Sequence, residues 1–163
     1  MGGAVILEYL YRTENSPFKK VVLLAPLVRI SYHHLSRIGY FIMNPFSDTS
    51  PRWFRRASSD KQFLKFFRND PLQCKHFPIK WAEAYYTWDK RFKSYESISA
   101  PVTVIQGTRD DVVDWRHNIP LLKKIIPDLK VIYIKKARHQ LMNEAEPFLN
   151  EFLEALGKQI SPE

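Results

Sequence analysis

Two short runs of β-branched and apolar residues, each followed by a polar loop, constrain the fold of this chain more than any other feature. The first run, Val102–Ile105, leads through Gly107 into a cluster of carboxylates. The second run, Val131–Ile134, leads into a loop that carries His139. Runs of this composition are typical of strands that are buried on both faces of a sheet. The segment between them is long enough for a crossover helix, so the pattern predicts parallel pairing of the two strands.

The remaining regular pattern predicts one more strand and three helices around these two. In the first helix, Val5, Ile6, Tyr9 and Leu10 share one face and are expected to point inward. Gly157 is expected to lie just past the end of the last helix. Strands are predicted over Val21–Leu24, Val102–Gln106 and Val131–Ile134, helices over Gly2–Tyr11, Trp115–Ile126 and Glu146–Leu156, and a loop over Thr13–Pro17.

Residues 30–98 interrupt this alternation and differ from the rest of the chain in composition. They hold twelve Lys and Arg against six Asp and Glu, and sixteen of the 23 aromatic residues. Helices are predicted from a cap at Ser59-Asp60 to Phe67 and over Pro78–Phe92. The segment is then either a helical subdomain with an aromatic core and a solvated basic face, or a surface for anionic lipid headgroups. No nucleic-acid-binding motif accompanies the charge, so we expect no nucleic acid partner.

The polar loops and the first residues of the chain together resemble a known family. Asp110 follows one strand and His139 follows the next, in the chain order of the acid and base of α/β-hydrolases. Met1-Gly2-Gly3-Ala4 resembles the second half of their nucleophile motif, G-x-S-M-G-G-A. The chain thus resembles the lysophospholipase and monoacylglycerol lipase branch of the α/β-hydrolases, also called the serine aminopeptidase S33-like group. The resemblance extends over essentially all 163 residues and is strongest over residues 101–156.

The resemblance implies an α/β fold that corresponds to the C-terminal part of the hydrolase sheet. It would contain the last three parallel strands with flanking helices, together with a helical insertion. Residues 1–29 and 99–163 would form the partial hydrolase core, and residues 30–98 would form the helical cap, or lid.

The resemblance also implies a role for each candidate residue of the site. His139 would be the general base and acid, and Asp110 would orient it. Asp114 is the main rival of Asp110, although its position favours an N-cap of the crossover helix. Asp111 is expected to be solvated. The backbone N–H of Met1 would belong to the oxyanion hole, while the nucleophilic serine would precede Met1 and is absent from this chain.

Hydrolysis of a carboxylic ester through an acyl-enzyme is the reaction that the family implies, with a monoacylglycerol, a lysophospholipid or another ester as substrate. No metal or organic cofactor is implied. We expect the chain alone to be inactive, and the alternatives are a non-catalytic truncated or split-gene fragment and a basic lipid-binding module. The single cysteine, Cys74, excludes an internal disulfide and favours the cytoplasm.

The expected partners follow from the same two parts of the chain. The basic, aromatic cap would contact a membrane surface. The exposed edge of the Val21–Leu24 strand would bind the missing N-terminal half of the hydrolase or lead to self-association. An aromatic stripe, Trp81, Tyr85 and Trp88, is expected to belong to the core, with an acyl-chain wall as the alternative. His117, on the crossover helix, is expected to be exposed.

Overall fold

The three apolar runs form one parallel sheet in the computed structural model, which describes residues 1–13 and 16–160. The loop expected over Thr13–Pro17 and the last residues of the expected hydrolase core therefore lie partly outside the described residues. In chain order the elements are α1 (Gly2–Arg12), β1 (Val21–Leu24), α2 (His33–Met43), β2 (Thr49–Pro51), α3 (Lys61–Asn69), β3 (His76–Pro78), α4 (Ile79–Phe92), β4 (Val102–Gly107), α5 (Trp115–Ile125), β5 (Lys130–Ile134), a 3₁₀ helix (Leu141–Asn143) and α6 (Phe148–Ile160).

The sheet has the order β1-β4-β5, and both pairings are parallel. All six residues of the central strand β4 are buried. Side chains alternate between the two faces of a strand, so β4 contributes Val104 to one apolar cluster and Ile105 to another. The first cluster includes Leu7 of α1 and Leu122 of α5. The second includes Phe152 of α6, so helices cover both faces of the sheet.

Helix α1 forms where expected, and its buried face agrees in part with the expected one. Leu7 and Leu10 are buried and Ile6 packs against the core, whereas Val5 and Tyr9 are exposed, so the expected inner face is confirmed for Ile6 and Leu10 and wrong for Val5 and Tyr9. The reason is a close contact at Gly3, where an added Cβ would lie 3.0 Å from Pro26 Cβ. Helix α1 approaches the end of β1 through this glycine, and the residues one and two turns further on then point inward.

Helix α6 also differs from expectation, because it continues through Gly157 to Ile160. Lys158 Nζ donates a hydrogen bond to Glu154 Oε1 at 2.6 Å across the position of this glycine. Pairs of opposite charge four residues apart stabilise a helix, although solvent screens an exposed pair such as this one. Phe152 is fully buried as expected, but Leu153 is half exposed.

The insertion (residues 30–98) contains both expected helices and three elements that the sequence did not predict. Asp60 caps α3 as expected, because its Oδ1 accepts hydrogen bonds from the N–H groups of Gln62 and Phe63 at 2.7 and 2.9 Å. The additional elements are α2 and an antiparallel ribbon of β2 and β3. Phe92 is fully buried in the first apolar cluster of the sheet, so the insertion shares a core with α1 and α5. The division at residues 30 and 98 stays a prediction.

Glu8, a partly buried carboxylate of α1, links this helix to the end of the insertion through hydrogen bonds. It accepts hydrogen bonds from Trp88 Nε1 at 2.9 Å, Arg91 Nη2 at 2.8 Å and Arg12 Nε at 2.6 Å, and from the hydroxyl of Tyr95. Partial burial raises the pKa of Glu8, but the hydrogen bonds from Tyr95, Arg12 and Trp88 and the charge of Arg91 outweigh it. The result is a pKa lowered from 4.5 to about 2.

Because the pKa of Glu8 is lower in the folded state, its contribution to stability is present above pH 4.5 and is lost as the pH falls towards 2. We expect Glu8→Gln to reduce the free energy of unfolding at pH 7 by about 2 kcal/mol and to flatten this acid limb. Thermal unfolding between pH 2 and 7 measures both effects. Glu83→Gln, which changes an exposed carboxylate of α4, should leave the loss of stability at low pH unchanged. If Glu8→Gln loses as much stability at low pH as the unchanged protein does, the prediction is wrong.

Candidate active site

Asp110 and His139 lie together at the carboxyl end of the sheet, on the loops that follow β4 and β5. The Oδ2 atom of Asp110 lies 2.9 Å from Nδ1 of His139, within the distance expected from the sequence. The side chain of Asp110 is completely buried, whereas that of His139 is 27% exposed. A carboxylate at Nδ1 makes this nitrogen the donor, so Nε2 is left to accept a proton. This arrangement gives His139 the properties of a general base, and its catalytic role stays a prediction.

Asp110 is fixed by hydrogen bonds to both of its carboxylate oxygens. Oδ1 accepts from the backbone N–H groups of Val112 at 2.8 Å and Val113 at 3.1 Å. Oδ2 accepts from Nε2 of Gln106 at 3.1 Å in addition to the bond with His139. A buried carboxylate with this many donors has a fixed orientation. In the sequence, the only indication of this role of Gln106 was that it is a polar residue within an apolar strand.

Gly107 lets the two loops approach each other. A Cβ at this position would lie 2.3 Å from the carbonyl oxygen of Arg138 and 2.5 Å from that of Ala137. Both oxygens belong to backbone just before His139, and backbone cannot move aside as a flexible side chain would. The N–H of Arg109 donates to the same Ala137 oxygen at 2.9 Å. The distance between the acid and the base therefore depends on the absence of a side chain at residue 107.

The other two carboxylates after β4 have separate partners. Asp111 is 46% exposed, as expected for a solvated side chain, and it also forms an ion pair with Arg138, with Oδ2 and Nη1 3.0 Å apart. The guanidinium of Arg138 is almost buried and reaches Asp111 across the gap between the loops. Asp114 caps α5 as expected, since its side chain accepts from the N–H of His117. Of the three carboxylates, Asp110 is the one hydrogen-bonded to His139.

Met1 lies at the start of α1 and is not hydrogen-bonded to the acid–base pair in the part of the chain that the structure describes. Its carbonyl accepts from the N–H of Ala4 at 2.9 Å, and its sulfur lies 2.9 Å from Nε1 of Trp81. Trp81 belongs to the aromatic stripe of α4, which also includes the buried Tyr85. Trp88 packs against the main core, as expected for the structural interpretation of the stripe. The oxyanion-hole role of Met1 stays a prediction.

A polar cluster that the sequence did not predict lies where the insertion leaves the sheet. The guanidinium of Arg29 lies 3.2 Å from Nδ1 of His117 and 2.9 Å from Nε2 of His34. Burial and the charge of Arg29 lower the pKa of His117, which is partly buried and not exposed as expected. Burial also lowers the pKa of His33, whose Nδ1 lies 3.3 Å from the hydroxyl of Tyr85. Their wide separation in the chain explains why no local pattern indicated this cluster.

The surface of the insertion combines apolar and basic groups. An open cavity of about 600 Å³ lies between α3 and the segment before it, and five of its nine lining residues are cationic: Arg55, Arg56, Lys61, Lys65 and Arg68. Within residues 1–13 and 16–160, no three potential ligands converge on a metal site. No helix in these two ranges is both long and apolar enough to cross a bilayer.

The chain is similar to known proteins in its family and in its fold. The family described as serine aminopeptidase, S33, matches residues 1–146. No curated protein matches the chain. The expected fold class, a C-terminal portion of the α/β-hydrolase sheet, is confirmed by three similar structures. The first two share their fold over 96% of this chain but only 64% and 60% of their own length, so the chain spans less than two thirds of these proteins.

The three structures are similar in fold and distant in sequence. The monoacylglycerol lipase of Paleococcus ferrophilus is 17% identical, with a TM-score of 0.78. A soluble variant of monoglyceride lipase from Saccharomyces cerevisiae, solved with a substrate analog, is 15% identical, with a TM-score of 0.80. Alpha/beta hydrolase domain-containing protein 10 from mouse is 16% identical, with a TM-score of 0.57, and matches 98% of this chain and 59% of its own.

We expect Gly107→Ala to separate Asp110 from His139, because the new Cβ would overlap the backbone before His139. Overpacking of this kind costs about 1–3 kcal/mol of stability. The proton on His139 Nδ1, which a carboxylate shifts far downfield in the ¹H NMR spectrum, should disappear or move upfield. Gly39→Ala is the matched control, since a Cβ there meets nothing within 4 Å. An unchanged downfield proton in Gly107→Ala would show that the close approach is not needed.

Proposed function

We propose that this chain, which belongs to the serine aminopeptidase S33 family, supplies the acid and base of a carboxylic ester hydrolase. One observation carries the proposal, the 2.9 Å contact between the buried Asp110 and the partly exposed His139. In this reaction Nε2 of His139 takes the proton of a serine hydroxyl as the serine attacks the ester carbonyl. His139 then protonates the leaving alcohol, and water hydrolyses the acyl-enzyme by the same route. Asp110 stabilises the imidazolium and keeps the ring in the productive tautomer.

The nucleophile of this reaction comes from outside the 163 residues. In the family motif the serine immediately precedes the residue aligned with Met1, whose N–H would then donate to the oxyanion. Helix α1 begins with Gly2, and its packing through Gly3 against Pro26 keeps it next to β1. Within the described residues β1 pairs with β4 alone, so its other edge offers unpaired backbone groups. We propose that a parallel strand ending in Gly-x-Ser binds this edge.

The substrate class that fits best is a lipid ester, either a monoacylglycerol or a lysophospholipid. The insertion supports this class because it exposes apolar side chains next to a cation, the guanidinium of Arg37, which lies 5.6 Å from the ring centre of Phe41. On α2, four large apolar side chains are between 57% and 68% exposed: Leu35, Ile38, Phe41 and Ile42. Their spacing places them on one face of the helix. An exposed apolar face beside cationic groups is typical of a surface that contacts anionic lipid.

We therefore propose that the insertion acts as a cap at a membrane surface on the cytoplasmic side. The apolar face of α2 would enter the boundary between headgroups and acyl chains. The five cationic residues that line the open cavity would lie close to the headgroups. This arrangement would bring a lipid ester to the site without a transmembrane segment.

We expect the chain alone to show no hydrolysis of short acyl esters, monoacylglycerol or lysophospholipid above a blank. Co-expression with an N-terminal hydrolase segment that ends in Gly-x-Ser should produce both turnover and labelling by a fluorophosphonate probe. In that assembled protein, His139→Ala and Asp110→Asn should each reduce kcat by about 10⁴-fold, the typical effect of losing a triad member. Rates on each ester, measured with and without the segment, test this expectation.

Asp114→Ala is the control for the acid, because it removes the cap of α5 and an ion pair with Arg29 at 3.8 Å but no hydrogen bond to His139. Loss of the cap costs about 1 kcal/mol of stability. Asp114→Ala should retain most of the activity of the assembled protein. Turnover by the chain alone that is lost in His139→Ala would place the nucleophile within the 163 residues. Turnover that neither His139→Ala nor Asp110→Asn affects would exclude the acid–base role, and the non-catalytic alternative would then stand.

For the membrane surface, we expect the double variant Ile38→Ser with Phe41→Ser to weaken binding to phosphatidylcholine vesicles that contain phosphatidylserine by about tenfold or more, because each side chain loses its apolar burial. Vesicle co-sedimentation measures the effect, and added salt should weaken binding of the unchanged chain. Leu153→Ser is the matched control, because Leu153 is also half exposed but belongs to α6. Equal binding by the double variant and the control would exclude α2 as the contact.

A further inference from the structure

The loop that carries His139 is hydrogen-bonded to a short piece of the insertion, residues 56–59, which we call the strap. Along the strap, the carbonyl of Arg56 accepts from Nη1 of Arg138 at 3.0 Å, and that of Ala57 accepts from the N–H of Gln140 at 2.8 Å. Next, the hydroxyl of Ser58 donates to the carbonyl of Asn143 at 2.5 Å. These contacts follow the same order along both segments. The strap therefore runs beside the His139 loop over several residues.

Glu144 joins the strap to this loop through a buried carboxylate. It is only 2% exposed, and it forms no ion pair in the described part of the chain. Its Oε1 accepts from the backbone N–H of Arg138 at 2.5 Å. Its Oε2 accepts from the N–H of Ser59 at 2.8 Å and from the hydroxyl of the same serine. A buried carboxylate is costly unless its oxygens are hydrogen-bonded, so these donors determine where Glu144 lies.

The two residues that flank His139 are thus held by different partners. The N–H of Arg138 is bound by Glu144, and the N–H of Gln140 is bound by the carbonyl of Ala57. Both anchors fix the backbone on either side of His139, while Asp110 fixes its ring. A histidine held only by its ring could still tilt about its backbone bonds. The two flanking anchors remove that freedom.

We infer that Glu144 is a positioning residue, which uses the strap to hold His139 in the orientation where its ring meets Asp110. The inference deepens the proposed function and rests on it for any effect on catalysis. Among the described residues, Glu144 is hydrogen-bonded to neither Asp110 nor the ring of His139, and it acts through the backbone of Arg138. The insertion consequently takes part in the acid–base geometry. Of the four strap residues, Ala57 binds the backbone N–H of Gln140, next to His139, and Ser59 binds the carboxylate of Glu144.

The geometry itself can be tested in the 163-residue chain, without a nucleophile. The readout is the downfield proton on His139 Nδ1 in the ¹H NMR spectrum. In Glu144→Gln, the new amide N–H₂ group faces a donor that now binds the carboxylate, either Arg138 or Ser59. We therefore expect the signal of the His139 Nδ1 proton to broaden or disappear. Glu146→Gln, an exposed change two residues further on, should retain it. If Glu144→Gln lowers the melting temperature but leaves the downfield proton unchanged, Glu144 has only a structural role and the inference is overturned.

A milder variant keeps the test decisive if Glu144→Gln does not fold. Ser59→Ala removes one donor to Glu144 and leaves the backbone donor in place. We expect hydrogen exchange at the Gln140 amide to accelerate by tenfold or more, while exchange at the Val113 amide, which is bound to Asp110, stays the same. Unchanged exchange at Gln140 in Ser59→Ala would overturn the inference.

The assembled hydrolase separates this inference from the proposed function. There, Glu144→Gln should reduce kcat by roughly 100-fold with little change in KM, because a small misplacement of a catalytic group has an effect of that size. Loss of the downfield proton in Glu144→Gln, together with normal turnover in His139→Ala, would support the positioning of His139 and exclude its catalytic role. Normal turnover in Glu144→Gln where His139→Ala is inactive would overturn the positioning role.

Discussion

The parallel register that pairs Gly107 with Ile134 determines where every other group of the site can lie. Both strands end at this pair, so both loops leave the sheet at the same edge and at the same level. A shift of one residue would turn each buried side chain of β4 to the opposite face, and two separate apolar clusters oppose that shift. Residue 107 has no side chain, so the second loop can pass directly over the end of the first. The packing of the core and the register of the strands therefore determine how closely Asp110 and His139 approach each other.

Backbone groups, more than side-chain charges, then hold the polar residues in place. Asp110 is bound by two N–H groups of its own loop, and Glu144 is bound by one N–H from the next loop and one from the insertion. The ion pair of Asp111 with Arg138 adds a second link between the loops. Backbone donors lose little conformational freedom when they bind, because secondary structure and packing already fix them. Such a site depends on the path of the chain, and a change far from the acid–base pair can affect it.

The sequence predicted the sheet and the acid–base pair because both have local patterns. Strands β1, β4 and β5 are continuous apolar runs, and Asp110 and His139 each follow one directly. It did not predict α2 or the ribbon of β2 and β3, because the ribbon strands have only three residues each and α2 exposes its apolar face. The buried face of α1 depends on a contact between Gly3 and Pro26, which are distant in the chain. Glu144, Arg29 and His117 likewise have partners that are remote in sequence, so no spacing could indicate them.

Helix α5 fixes both ends of the insertion. At the start of the insertion, Ile30 forms a β-bridge with Val113, just before α5 begins. At its end, the N–H of Ile98 donates to the carbonyl of Ile125, the last residue of α5, at 2.8 Å. The entry and exit points are therefore separated by about the length of an eleven-residue helix, roughly 16 Å. This spacing makes α5 a template for exchange of the segment between them. Grafted segments of other lengths and compositions would fit the same scaffold if their two ends matched this span.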